Sequence, residues 1–167
     1  MPLDEKIKGL IIPSGNEKDD IERAKAAIKY NTENSSNIPY IVSGLGPDTN
    51  IALGYEENEE NKELDFHEKL YDFMINNTKG TFGIDIKSVN SIENILYTFP
   101  KGTEGKYILF SYPLHLKRFE KIINKAKEKG KISENLEIEF VPTRQTLKHF
   151  IYEKMGTIKR IKDMKRI

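Results

Sequence analysis

Cysteine is absent from this 167-residue chain. That excludes disulfides, thiolate metal sites and a cysteine nucleophile. An excess of one charge is absent too: 27 Lys and Arg stand against 26 Asp and Glu, for a net charge of +1. A general nucleic-acid binder needs a basic face, so nucleic acid is not expected as a partner. Long apolar runs are also missing. The run at residues 10–12 is much shorter than a secretory core segment. No stretch approaches the ~20 residues of a membrane span. The expectation is a cytoplasmic protein without a membrane span.

What is present suits a folded domain. Charged residues make up 32% and hydrophobic residues 37%. The length fits one domain over residues 1–167, with residues 158–167 as a basic tail. Apolar runs alternate with helical patterns. Strands are expected at residues 7–13, 39–43, 81–86, 107–110 and 136–141. Helices are expected at 19–30, 63–75, 90–99, 114–129 and 147–155. Residues 44–62 read as a long polar loop. The YILF run at 107–110 is the most apolar and the best candidate for a central strand. Strand alternating with helix implies a mostly parallel sheet with right-handed crossovers. The fold class is α/β, a single Rossmann-like three-layer domain with about five strands.

Polar and small residues follow the strands at once. They are Pro13-Ser14-Gly15-Asn16, Ser43-Gly44, Ser88 to Asn94, and Ser111-Tyr112-Pro113-Leu114-His115. In an open parallel sheet those ends share one edge, and ligands bind there. Helix N-termini at that edge suit an anion. Gly15 and Gly44 allow backbone to approach a ligand, but a glycine so placed is, taken alone, more often only a turn residue. Asn90 with Glu93 also fits a helix N-cap and its partner. Arg23 fits a solvated helix position. His115 fits a structural histidine, but it lies three residues before Arg118 on one helix. Together those two can hold a phosphate or carboxylate, Arg as a fork and His as proton carrier. The histidines, His67, His115 and His149, are scattered and lack paired carboxylates, so no protein metal site and no obligatory zinc is expected, a Mg²⁺ carried in with a phosphate staying open.

Three blocks of residues resemble the YdcF-like family, which includes the SanA and ElyC proteins. SVNSIENI at 88–95 resembles the family's Ser-x-Asn-Thr-x-Glu-Asn, with Ser91 in place of Thr. ILFSYPLHLKRF resembles its strand running into Thr-Ser-x-x-His-x-x-Arg, with His115 and Arg118 in place and Ser111-Tyr112 for Thr-Ser. YIVSG resembles its strand ending in Ser-Gly, with Ser43 and Gly44. Gly15 and Arg23 match more loosely. The resemblance implies a Rossmann-like fold and S-adenosylmethionine as a candidate cofactor. It implies no particular reaction.

Three functions follow as expectations. The first is binding of a small nucleotide-like or phosphate-bearing molecule by Gly15, Arg23, Ser43, Gly44, Ser88, Asn90, Ser91, Asn94 and Ser111, with Asp48, Asp85 or Glu93 against a ribose. The second is an enzyme acting on a phosphoryl or glycosyl group, with His115 as acid or base, Arg118 as anion clamp and Glu93 orienting water or the imidazole. The third is an interaction module without chemistry, in which the basic tail and the Lys-rich segment 117–129 meet an acidic partner or membrane surface, a solvated helix face being the preferred reading of those charges. Gly15, Ser43, Gly44, Asn90, Asn94, His115 and Arg118 are expected to line one pocket, with residues 48–62 as its lid. Oligomeric state has no signature in the sequence.

Overall fold

A computed structural model describes residues 6–14, 17–44, 66–84, 88 and 90–144. In chain order the elements are β1 (Gly9–Pro13), α1 (Glu17–Glu33), β2 (Tyr40–Ser43), α2 (Phe66–Asn77), β3 (Phe82–Ile84), α3 (Ser91–Thr98), β4 (Gly105–Ser111), α4 (Pro113–Glu128) and β5 (Leu136–Pro142). The strands form one sheet in the order β3-β2-β1-β4-β5. Every neighbouring pair is parallel. The expected Rossmann-like α/β architecture is what the described residues form.

The reason lies in which faces are apolar. All five residues of β1 are buried, as a strand covered by helices on both sides must be. Leu10 and Ile12 pack on one face with Ala24 and Ala27 of α1 and Leu70 and Met74 of α2. Ile11 and Leu109 pack on the other with Ile95 of α3 and Phe119, Ile122 and Ala126 of α4. Alternating strand side chains therefore feed two separate cores. Among the described residues two helices cover each face, which makes three layers.

Helix α4 shows how local sequence sets the bounds. Pro113 stands in its first turn, where a missing N–H costs nothing. His115, Leu116, Phe119, Ile122, Ile123 and Ala126 form its buried face. Lys125 and Lys127 sit in the last turn, facing the negative end of the helix dipole. Gly130 follows with φ of +60°, a left-handed stop.

The observed bounds differ modestly from expectation. Helix α1 runs past both ends of the expected 19–30 segment. Strand β4 is interior and pairs on both sides, yet β1 holds the middle place. The expected 147–155 helix, the 48–62 loop and the basic tail lie outside the described residues.

Candidate functional site

Strands β1 and β4 are neighbours, but the helices that follow them leave on opposite faces. In a doubly wound sheet, this reversal opens a crevice at the carboxyl ends. Register brings the other polar ends alongside. Pro13 pairs with Ser43, and Ser14 N donates to the Ser43 carbonyl at 2.6 Å. Three groups of side chains gather here.

The first group braces β1, α1 and the end of β4. Arg23 is wholly buried and Asp20 is 1% exposed. Arg23 Nη1 donates to Asp20 Oδ1 at 2.8 Å. It also donates to the carbonyl of Pro13. Ser14 Oγ donates to the other carboxylate oxygen of Asp20 at 2.9 Å. The guanidinium carbon lies 5.0 Å from the Tyr112 ring centroid, within cation–π range. Arg23 Nε and Nη2 meet no hydrogen-bond partner among the described residues. A solvated helix position is therefore the wrong reading of Arg23. Periodicity alone does not reveal that a charged residue points at a strand end.

The second group is centred on His115, which is 4% exposed. Ser111 Oγ lies 2.9 Å from its Nδ1 and Ser91 Oγ 3.1 Å from its Nε2. A neutral imidazole donates from one nitrogen and accepts at the other, and hydroxyls serve either tautomer. Tyr112 stacks on the ring at 5.1 Å and Phe119 lies against it at 4.2 Å. Helix α4 supplies the histidine, β4 one serine and α3 the other. The three residues share one contact because α3 and α4 pack on the same sheet face.

The third group joins β2 to α3. Gly44 has φ of +89°, and a Cβ there would lie 2.9 Å from Asn94 Oδ1 and 3.0 Å from Nδ2. Both the backbone conformation and the close approach require glycine. Asn94 is 4% exposed and Ser43 1%. Asn94 Oδ1 and Ser43 Oγ find no hydrogen-bond partner among the described residues.

The remaining candidates fall as follows. Asn90 caps α3, its Oδ1 accepting from Ile92 N at 3.0 Å and Glu93 N at 2.9 Å. Its side-chain oxygen is thus spent on the helix, the structural reading that the Asn90–Glu93 spacing also allowed. Glu93 and Arg118 are half-buried, and Ser88 is buried. Gly15, Asp48 and Asp85 lie outside the described residues. Asp20 and Tyr112 were not among the sequence candidates. The i, i+3 spacing of Asp20 and Arg23 was the available signal for the first.

Among the described residues, no three His, Asp or Glu side chains are grouped to hold a metal ion. None of the described helices is long and apolar enough to cross a membrane. The chain matches no protein-family model, no curated protein and no solved structure in the comparisons made.

Proposed function

We propose that this domain binds a small nucleotide-like or phosphate-bearing molecule at the carboxyl ends of β1, β2 and β4. Two buried oxygens carry the proposal: Ser43 Oγ and Asn94 Oδ1 sit beside Gly44 without partners among the described residues. Leaving a buried polar atom unmet costs about 1–3 kcal/mol. Native folds keep such atoms where something else meets them. A ligand lying across Gly44 would satisfy both, and the glycine would let it come close. Arg118, one turn beyond His115 on α4, carries the guanidinium that the sequence assigns to a phosphate or carboxylate. The resemblance to the YdcF-like family makes S-adenosylmethionine the first candidate.

Isothermal titration of the full chain against S-adenosylmethionine and a panel of adenine nucleotides tests this. One ligand should bind. Asn94→Ala should weaken it about tenfold, the effect of one lost hydrogen bond of ~1.4 kcal/mol. Flat isotherms with every ligand, on a sample folded by circular dichroism, would defeat the proposal.

A further inference from the structure

Ser91, His115 and Ser111 form a hydrogen-bonded chain whose members differ in exposure. The imidazole is 4% exposed and Ser111 is wholly buried. Ser91 is only partly buried. A hydroxyl on a partly exposed residue, against a buried base that a third side chain holds in place, is the arrangement that activates a nucleophile. Ser91 is also the first residue of α3. The positive end of that helix favours negative charge developing at or beside Ser91 Oγ. One turn along, Asn94 carries a buried oxygen that no described residue meets. This stretch of α3 therefore holds polar capacity that the described packing leaves unused.

We infer that Ser91 is a nucleophile toward carboxylic esters, with His115 as its base and Ser111 as the positioning residue. The substrate class follows from the surroundings. The rings of Tyr112 and Phe119 flank the imidazole. Neither serine carries a charge, which suits an uncharged acyl group. This goes beyond the binding proposal and adds a reaction at the same edge.

The steps balance without a redox partner. Ser91 Oγ passes its proton to His115 Nε2 and bonds to the ester carbonyl carbon, whose π pair moves onto oxygen. Collapse breaks the bond to the alcohol, which leaves with the proton from Nε2. Acyl-Ser91 remains. Water then gives a proton to Nε2 while its oxygen adds to the acyl carbon. Collapse expels Ser91 Oγ, which recovers that proton, and the acid departs. Throughout, Ser111 Oγ accepts from Nδ1–H, which keeps Nε2 available as the acceptor. A neutral serine stabilises the imidazolium less than a carboxylate does, so turnover should be slow.

A fluorophosphonate probe on the full chain gives the direct test. It leaves one phosphonyl group on an activated serine, read by intact mass and peptide mapping. The expected result is a single adduct on Ser91, absent in Ser91→Ala, with p-nitrophenyl acetate hydrolysis lost in parallel. His115→Gln should slow labelling about a hundredfold, the usual contribution of a proton-transfer partner. Ser111→Ala should slow it and Ser111→Thr, which keeps the hydroxyl, should restore it. Folded wild-type protein without an adduct on Ser91 overturns the inference, whatever the variants do. So does Ser91→Ala hydrolysing the ester as fast as wild type. Nucleotide binding without an adduct would remove this inference alone; labelling with flat isotherms would remove only the binding proposal.

Discussion

Changing Arg23→Met keeps most of the side-chain volume and removes the charge. The guanidinium it deletes is wholly buried and bonds to Asp20 and to the Pro13 carbonyl. Asp20, itself 1% exposed, loses this ion pair. Breaking a buried pair from one side costs about 3–5 kcal/mol, because the other charge stays in the interior. The orphaned Pro13 carbonyl and the lost stacking on Tyr112 push toward the upper end. That is a large share of the ~5–15 kcal/mol that holds a typical domain together. With a urea slope of about 2 kcal/mol per molar, a loss of ~4 kcal/mol lowers the unfolding midpoint by about 2 M. Urea titration followed by circular dichroism measures it. The double variant Asp20→Asn, Arg23→Met removes both charges and should recover a large part of the loss. An Arg23→Met midpoint within 0.5 M of wild type would refute the claim that this pair braces the strand ends. So would a double variant as unstable as the sum of its single changes.

Two further outcomes follow. Gly44→Ala forces a side chain into a φ of +89° and against Asn94; it should cost about 1–3 kcal/mol in thermal or urea unfolding, and Asn94→Ala in the same chain should relieve part of that. Burial raises the Tyr107 phenol above its usual 10.0, so its stability contribution is whole below that value and is lost as pH climbs through the higher folded value. Lys106, raised by its hydrogen bond to Glu139, titrates in the same alkaline window and the same sense. Tyr107→Phe should therefore reduce, without abolishing, the fall in urea midpoint between pH 9 and 11; an unchanged fall would exclude Tyr107 as a contributor.

The sequence made the α/β alternation legible because strand and helix periods are local properties. YILF reads as an interior strand from four residues alone, and it is one. Strand order is different in kind. Leu10 pairs with Tyr40 on one side and Ile108 on the other, and nothing near Leu10 encodes that choice. The candidate site reads as a row of polar strand ends, and at those ends Gly44 meets Asn94 and Ser111 meets His115. What escaped was burial of charge. Asp20, Arg23, Ala24, Ala27 and Asn31 share the inward side of α1. Only the alanines announce themselves to a hydrophobic pattern. Asp20, in the first turn of α1, has the position of a residue suited to the helix dipole, while its carboxylate in fact receives Ser14 and Arg23.

The middle place of β1 also shapes how the chain reaches its native state. Its pairing with β2 closes a short stretch of chain, while its pairing with β4 closes one roughly three times as long, which costs about 1 kcal/mol more in loop entropy. The β1-α1-β2 unit can therefore assemble before β4 arrives. The later docking joins the two halves of the sheet, and contacts so distant in sequence slow folding. The meeting of the β1 and β4 carboxyl ends is created by that same step. Until it occurs, Arg23 has no Tyr112 to lie over and His115 no place beside Ser91. A nascent chain halted before β4 has β1 without its second neighbour, and Ile11 without Leu109 and Phe119 to pack against.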